Sequence, residues 1–219
     1  MAEGAARRVW ESSSLAARIV REALRPASWA YGGVVAARNA AYDHGWLRSH
    51  ELALPAISVG NLTVGGTGKT PVAAYVAARL AERGLKPAIV MRGYGSDESL
   101  VHARLNPGIP VIVAADRVRG AIEARAAGRD VVVLDDAFQH RRARRAADIV
   151  LLAAELAGPV RQLPAGPWRE PLASLARASL VVVTRKSASP VRARELLLHA
   201  RRFAPSAGGA LIHLAADRL

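Results

Sequence analysis

The glycine-rich segment of residues 60–71 has the residue types and spacing most typical of a phosphate-binding site. Glycines allow backbone N–H groups to converge on phosphate oxygens, and a helix that follows adds the positive end of its dipole. Lys69 would reach the β- and γ-phosphates of a nucleotide, and the Thr70 hydroxyl would ligate Mg²⁺. The segment therefore predicts a phosphate-binding loop with these nucleotide-binding residues: Thr63, Val64, Gly65, Gly66, Thr67, Gly68, Lys69 and Thr70.

One position departs from the usual phosphate-loop pattern. Thr63 stands where that pattern has its first glycine. Gly65 and Gly66, followed by the Gly-Lys-Thr core, keep the motif recognisable. The alternative interpretation is a glycine-rich turn with an incidental lysine.

Two adjacent carboxylates, Asp135 and Asp136, directly follow the apolar run Val131–Leu134. An acid at the carboxyl end of a buried strand is where a nucleotide-bound Mg²⁺ is held. Neighbouring side chains point to opposite sides, so one carboxylate could bind the metal while the other positions water or a loop. Thr70, Asp135 and Asp136 are therefore the predicted metal ligands. A solvated acidic loop is the alternative for this pair.

Short β-rich runs alternate with helical segments from residue 54 onward. This alternation, together with the phosphate loop, predicts an α/β fold like that of the P-loop NTPases, with a mostly parallel sheet and helices on both faces. A loop is expected at Ala207–Ala210, before a last strand at Leu211–Leu214. The other predicted strands are Ala56–Val59, Pro87–Met91, Pro110–Ala114, Val131–Leu134, Ile149–Ala153 and Leu180–Thr184, and the helices are Thr70–Arg83, Arg117–Ala127 and Val191–Phe203.

Residues 1–50 differ from the predicted nucleotide-binding domain, residues 51–219, and form a predicted N-terminal helical segment. Apolar residues from Leu15 to Leu24 recur at helical spacing with arginines between them, and Pro26 is expected to end that helix. A second semi-apolar stretch runs from Trp29 to Tyr42. Two interpretations stay open: a helical layer packed on the main domain, or a helix pair lying on an anionic membrane surface.

Composition limits the classes of protein that fit. The 219 residues are 51% hydrophobic and 22% charged, as in globular domains, and carry a formal charge of +13. The absence of cysteine excludes disulfides, iron–sulfur clusters and thiolate metal sites. The sequence has no apolar run long enough for a conventional transmembrane helix, and its N-terminus lacks the arrangement typical of a secretion signal, so neither a spanning helix nor secretion is expected. The basic charge favours anionic partners, and a basic run at residues 141–145 is expected to contact phosphate or lipid headgroups.

Four segments, in order along the chain, resemble motifs of the tetraacyldisaccharide 4′-kinases of lipid A biosynthesis. The first is the extended phosphate loop, Gly60–Pro71. The others are Arg92-Gly93-Tyr94-Gly95, Asp135-Asp136-Ala137-Phe138-Gln139-His140-Arg141 and Leu163-Pro164-Ala165-Gly166-Pro167-Trp168-Arg169-Glu170-Pro171. A phosphate loop alone would be generic, whereas this ordered set over residues 28–186 is highly specific.

The resemblance implies a lipid kinase. Members of the family use MgATP to phosphorylate the 4′-hydroxyl of a tetraacylated glucosamine disaccharide 1-phosphate, giving lipid IVA. They act at the cytoplasmic face of the bacterial inner membrane, so this chain is expected there as a peripheral or monotopic protein held by its N-terminal helix. The implied partners are the lipid A precursor and the anionic membrane, with no nucleic acid. The sequence leaves the oligomeric state open.

The resemblance also implies roles for individual residues. Lys69 and Asp136 would take part in catalysis, and Asp97 in the segment Gly95-Ser96-Asp97-Glu98 would be the catalytic base. The stretch before Asp97 is shorter than in the family, so Glu98 is the alternative base and an exposed loop acid is the alternative interpretation of Asp97. Residues that would position the substrate or the loops are Glu98, Gln139, His140, Arg169 and Glu170.

Several features depart from the family. Ala137 replaces a glycine, and Met91 stands where serine is frequent. Family members are longer, and their C-terminal part carries a histidine that pairs with the base, so the expectation is that this chain lacks that part. His102 is expected at the surface. Alternatives to the 4′-kinase are another P-loop small-molecule kinase or ligase-like ATPase, a nucleotide-binding but inactive homologue, and a nucleotide-dependent switch or basic binding module.

Overall fold

The structure, a computed structural model, describes residues 2–93, 97–156 and 159–215. The helices are α1 (Ala2–Glu11), α2 (Leu15–Ala23), α3 (Arg25–Asp43), α4 (Lys69–Glu82), α5 (Asp97–Leu105), α6 (Arg117–Ala126) and α7 (Pro190–Arg201), with a 3₁₀ helix at Leu172–Arg177. The strands are β1 (Ala56–Asn61), β2 (Pro87–Met91), β3 (Val111–Val113), β4 (Val131–Asp135), β5 (Ala147–Ala153), β6 (Leu180–Arg185) and β7 (Gly208–His213).

The strands form one seven-stranded sheet in the order β3-β2-β4-β1-β5-β6-β7. Every registered pair is parallel, with Val59 opposite Asp135 and Val182 opposite Ala210 as examples. The chain order turns back at β1, which lies between β4 and β5. Ligands of open α/β sheets bind beyond the carboxyl ends of the strands at such a reversal. The predicted parallel α/β architecture is confirmed.

Strand β4 illustrates how both faces of the sheet are buried. Val132 and Leu134 pack with Ala121 and Ala124 of α6. Val133, between them, packs on the opposite face with apolar residues of α4, among them Val72. Since successive side chains of a strand point to opposite faces, an uninterrupted apolar run is what burial on both sides requires.

Two predicted boundaries are wrong for reasons of context. Pro26 does not end a helix but occupies the first turn of α3, where a missing N–H costs nothing. The expected loop at Ala207–Ala210 is largely strand, because Gly208–Ala210 pair with β6. Helices α1 and α5 were not predicted from the sequence. Gly84 and Gly128, just beyond α4 and α6, have positive φ values, as is common where a glycine ends a helix.

The N-terminal helices pack on the main domain. Ser28 of α3 donates through Oγ to the Gln162 carbonyl, and the Ala165 N–H donates to that Oγ, both at 3.0 Å. The Trp10 indole N–H of α1 donates to the Pro164 carbonyl at 2.9 Å. These contacts attach α1 and α3 to the main domain, and the membrane interpretation of this segment stays a prediction. Within the described residues, no helix has both the length and the apolar character needed to cross a membrane.

Candidate active site

The phosphate loop connects β1 to α4 and faces a cleft at the carboxyl ends of the strands. Residues Gly65 to Thr70 line this cleft. Gly65 and Gly68 have φ values of 112° and 84°, in the left-handed region that favours glycine. Thr67 is braced by Asn61, whose Nδ2 donates to its Oγ1 at 2.8 Å, and by the Thr184 hydroxyl, which donates to its carbonyl at 2.9 Å. Hydrogen bonds from β1 and β6 thus fix the position of Thr67 in the loop.

The first two predicted loop residues have a different role in the structure. Thr63 is buried and forms an antiparallel bridge with Trp168, and the Val64 N–H donates to the Pro167 carbonyl at 2.7 Å. Neither residue lines the cleft. The position that departs from the phosphate-loop pattern therefore ties the loop to the segment that carries Arg169. Contact of Thr63 and Val64 with nucleotide stays a prediction.

The cleft has a volume of about 1610 Å³ and brings most of the predicted site residues together. Pockets for single small ligands are typically about 300–1,000 Å³, so this cleft has room for a nucleotide and part of a second ligand. The predicted residues that line it are Gly65–Thr70, Asp135, Asp136, Gln139, His140, Arg169 and Glu170.

Asp136 holds two cations on one side of the cleft. Arg169 Nη1 donates to both carboxylate oxygens at 3.2 Å, and Lys69 Nζ lies 3.7 Å from Oδ1. Asp136 also has a φ of 49°, which is uncommon for a residue with a side chain and concentrates at functional sites. An incoming phosphate would compete with this carboxylate for Lys69 and Arg169.

Asp135 points into the protein instead. Its Oδ2 lies 2.8 Å from Nε2 of His102, whose exposed fraction is 0%. The expectation of a surface position for His102 is therefore wrong: α5 turns this side chain inward onto the end of β4. The Asp135 carbonyl accepts from Arg117 Nη2 at 3.1 Å.

The residues present fit Mg²⁺. Asp135 Oδ1 is buried and has no protein partner in the described part of the chain, and Asp135 and Thr70 line the same cleft. No group of three or more histidine, cysteine or acidic side chains suited to a metal occurs among the described residues. Mg²⁺ commonly binds through one or two carboxylates plus phosphate oxygens rather than in an all-protein cage. Oxygen donors of this kind and number match that preference.

Glu170 anchors the cleft wall to the N-terminal layer. The buried carboxylate accepts from Arg177 at 2.8 Å and from Asn39 of α3 at 3.0 Å. Burial alone would raise the pKa of Glu170, but the Arg177 charge and the hydrogen bonds from Arg177, Ser174 and Asn39 together outweigh it, and the net pKa is lowered. Gln139 has a similar bracing role, because its Nε2 donates to the Asn61 carbonyl at 2.8 Å.

His140 is held as a neutral imidazole at the cleft wall. Burial lowers its pKa below the usual value, and the Arg117 charge lowers it further, with a smaller opposing effect of Asp116. Its buried Nε2 has no protein partner among the described residues. A neutral imidazole with a free ring nitrogen can accept or donate one hydrogen bond to a ligand.

The predicted base, Asp97, is the first residue of α5. The structure does not describe residues 94–96 or the side chains of Asp97 and Glu98. Met91, Arg92 and Gly93, which precede residues 94–96, line the cleft. The roles of Asp97 and Glu98 stay predictions.

Three arginines of the basic run form ion pairs within the protein. Arg141 pairs with Asp43 at 2.6 Å, Arg144 with Glu51 at 2.6 Å and Arg145 with Asp148 at 2.8 Å. Arg145 also donates to the carbonyls of Phe138, His140 and Ala143. These pairs lie within the protein, and contact of the basic run with phosphate or headgroups stays a prediction.

Sequence reasoning missed a second wall of the cleft. Tyr31, Val35 and Arg38 of α3 line it, as do Lys186 and Ser187 after β6. The position of Lys186 beyond the carboxyl end of a parallel strand was a signal that could have found that loop. Nothing in the local pattern of α3 indicates which of its faces meets the cleft.

A family model described as LpxK, tetraacyldisaccharide-1-P 4′-kinase, matches residues 20–101 and 95–211. The chain belongs to the tetraacyldisaccharide 4′-kinase family. The matched ranges of the 4′-kinase model include the phosphate loop, the Asp135–Asp136 pair and Arg169. The resemblance found in the sequence is confirmed.

Curated 4′-kinases from two bacteria are similar over most of this chain. The tetraacyldisaccharide 4′-kinase of Halorhodospira halophila is 43% identical over 194 residues, which are 80% of this chain and 58% of the relative. That of Alkalilimnicola ehrlichii is 43% identical over 180 residues, 73% of this chain and 54% of the relative. The chain thus spans about half the length of the curated relatives it matches.

A solved 4′-kinase structure shares the fold. The crystal structure of LpxK from Aquifex aeolicus in complex with ATP is 36% identical and superposes with a TM-score of 0.70. The match covers 75% of this chain and 58% of the Aquifex chain.

Proposed function

We propose that this chain transfers the γ-phosphoryl group of ATP to the 4′-hydroxyl of a tetraacylated glucosamine disaccharide 1-phosphate. The observation that carries the proposal is one cleft, lined by a phosphate loop, an acidic pair and Arg169, in a member of the 4′-kinase family. The size of the cleft supports a second ligand beside the nucleotide.

Each side chain has a role that its position supports. Lys69 and Arg169, which share Asp136 here, would exchange that carboxylate for phosphate oxygens when ATP binds. Thr70, Asp135 and Asp136 are the residues proposed to hold Mg²⁺. Mg²⁺ bound there would neutralise charge on the β- and γ-phosphates.

The proposed transfer forms one bond and breaks one. The acceptor hydroxyl oxygen attacks the γ-phosphorus, the bond from that phosphorus to the β–γ bridging oxygen breaks, and ADP leaves. Asp97 accepts the hydroxyl proton, with Glu98 as the alternative acceptor. Most of the rate enhancement in such reactions comes from positioning and electrostatic stabilisation. Lys69 and Arg169 would supply the protein's share of that stabilisation.

We also propose that α2 and α3 lie on the anionic cytoplasmic face of the bacterial inner membrane and attach the protein there as a peripheral or monotopic enzyme. Leu15, Ile19 and Trp29 are 70%, 60% and 67% exposed. Arg25 lies over the Trp29 ring at 5.5 Å. Exposed apolar side chains beside arginines match an interfacial helix. Because α3 also lines the cleft, membrane binding would bring a lipid acceptor close to the phosphate loop.

The decisive experiment is a phosphotransfer assay of this 219-residue chain with labelled ATP, Mg²⁺ and the disaccharide 1-phosphate acceptor. Label in the 4′-phosphorylated lipid is the expected result. Binding of MgATP without transfer to this acceptor would favour an inactive homologue. Transfer to a small alcohol in preference to the lipid would favour another P-loop kinase.

A further inference from the structure

We propose that His102 is a positioning residue that orients Asp135 for the nucleotide-bound metal and fixes α5 against the cleft. The proposal rests on the metal assignment of the proposed function. It starts from the hydrogen bond between Nε2 of His102 and Oδ2 of Asp135, 2.8 Å long and removed from solvent.

The two carboxylate oxygens of Asp135 have different surroundings, since Oδ2 contacts His102 and Oδ1 has no protein partner among the described residues. A carboxylate offers acceptors only, so the imidazole N–H at Nε2 donates to Oδ2. Oδ1 is then left buried, without a protein partner in the described residues, in a residue that lines the cleft. A buried carboxylate oxygen without a partner is costly, and a cation at the cleft would satisfy it. His102 therefore holds the rotamer that presents Oδ1.

The same contact attaches α5. Among the described side chains of this helix, His102 is the buried one, whereas Leu100, Val101 and Leu105 are exposed. A second polar contact lies just after the helix, where Asn106 Nδ2 donates to the Ala74 carbonyl of α4 at 2.8 Å. With so little apolar burial, these two hydrogen bonds are separate attachments of the helix, one to β4 and one to α4.

The two attachments differ in what they can control. Asn106 ties α5 to α4 and does not touch the acidic pair, whereas His102 joins α5 to the proposed metal ligand. Asp97 begins this same helix. His102 thus links the helix that carries the proposed base to Asp135.

The test measures how much Mg²⁺ strengthens binding of a fluorescent, non-hydrolysable ATP analogue, compared with binding in EDTA. His102→Leu removes the donor and should reduce the Mg²⁺-dependent gain in affinity by about 10-fold or more, as outer-shell partners of metal ligands do. Binding in EDTA should stay unchanged. His102→Gln, whose amide N–H can reach Oδ2, should restore most of the gain, which a merely space-filling role of His102 would not produce.

Asn106→Leu is the matched control, because it releases α5 from α4 and leaves Asp135 untouched. It should keep the Mg²⁺-dependent gain. An unchanged gain in His102→Leu, or an equal loss in Asn106→Leu, would overturn the proposal. If His102→Leu does not fold, His102→Gln and His102→Asn decide, since the shorter Asn side chain should bind MgATP more weakly than Gln. Equal gains in that pair would also overturn it.

A further variant separates this inference from the proposed function. Asp135→Asn should abolish the Mg²⁺-dependent gain, and if it does not, the metal assignment fails and the role of His102 fails with it. If the gain depends on Asp135 and His102 but no lipid is phosphorylated, the role of His102 is supported and the proposed reaction is the part that fails.

Discussion

Asp136 brings two cations together beside the phosphate loop. Lys69 and Arg169 lie 3.7 and 3.2 Å from its carboxylate. The two cations therefore share one acidic partner. Both are partly exposed, so the pairs themselves add little stability. Their value is that a polyphosphate can take over both cations without a large rearrangement.

Lys69→Ala should reduce phosphotransfer by at least about 100-fold, since preorganised charge at the transferring phosphate is usually worth that much. Arg169 also contacts Asp136, but it lies outside the phosphate loop, whose lysine is the cation expected to reach the β- and γ-phosphates. The assay compares turnover with wild type and with Lys86→Ala, an exposed lysine far along the chain from the loop. Turnover near the wild-type rate in Lys69→Ala would contradict the phosphate-loop assignment.

Asp97→Asn should reduce turnover by about 10²–10³-fold, the lower half of the range for a general base, because the transition state is loose. Nucleotide affinity should hold. Glu98→Gln is the matched variant, and both are assayed for product formation and ATP binding. A larger loss in Glu98→Gln would assign the base to Glu98, and no loss in either would reject a base at this position.

His140 predicts a pH-dependent stability. Its pKa is lowered by burial and by Arg117 in the folded chain, so the unfolded chain binds more protons as the pH falls through its usual value of about 6.5. The free energy of unfolding contributed by neutral His140 is therefore present at high pH and is lost as the pH falls.

His140→Asn should show a smaller drop in Tm between about pH 7.5 and 5.5 than wild type. The exposed His199→Asn is the control, and an unchanged pH slope in His140→Asn would count against this.

At the level of elements, α3 both packs on the main domain and lines the cleft. Ser28 and Asn39 attach it to the main domain, and Tyr31, Val35 and Arg38 line the cleft. Deleting residues 1–42 would therefore uncover Gln162 and Glu170 and would test folding as much as membrane binding. Substitutions confined to the exposed side chains are the sharper experiment.

The triple variant Leu15→Ser, Ile19→Ser, Trp29→Ser should lose most of its binding to anionic vesicles while Tm and ATP binding stay near wild type. These side chains are at least 60% exposed, so little core packing depends on them. Co-sedimentation measures the binding. The matched control is Val191→Ser with Leu198→Ser on α7, at 66% and 61% exposure. Equal co-sedimentation of the triple variant and wild type would reject the proposed membrane face.

At the level of the whole molecule, the order of strands collects distant segments at one edge. β1 lies between β4 and β5, so the loops after β1 and β4 open into the same cleft. The segment that carries Arg169 follows β5 and joins the loop through Thr63 and Trp168. The site is therefore a property of the sheet topology and not of any one segment.

The net charge of +13 predicts salt-sensitive attachment to anionic surfaces. Binding to vesicles that contain acidic phospholipid should fall as salt rises from about 0.05 to 0.5 M, because the screening length shortens several-fold. Vesicles of neutral lipid should retain only the weaker, salt-insensitive binding of the apolar face. Equal binding to neutral and acidic vesicles at low salt would contradict an electrostatic contribution.

Local patterns in the sequence alone specify much of this fold. Apolar runs such as Val131–Leu134 specify buried parallel strands because both faces must be covered. Gly65, Gly68 and Lys69 specify the phosphate loop because backbone freedom, a helix start and a cation are needed within a few residues. These requirements are all met by neighbours in the chain, so the sequence alone could express them.

Tertiary structure decided what depends on distant partners. His102 has the sequence surroundings of a surface residue, yet its partner Asp135 lies 33 positions away and draws it into the interior. Arg141, Arg144 and Arg145 resemble an anion site in sequence, but Asp43, Glu51 and Asp148 neutralise them. Gly208–Ala210 become strand because β6 offers its edge. In each case the free energy comes from a hydrogen bond or ion pair whose second member the topology supplies, and no local pattern contains it.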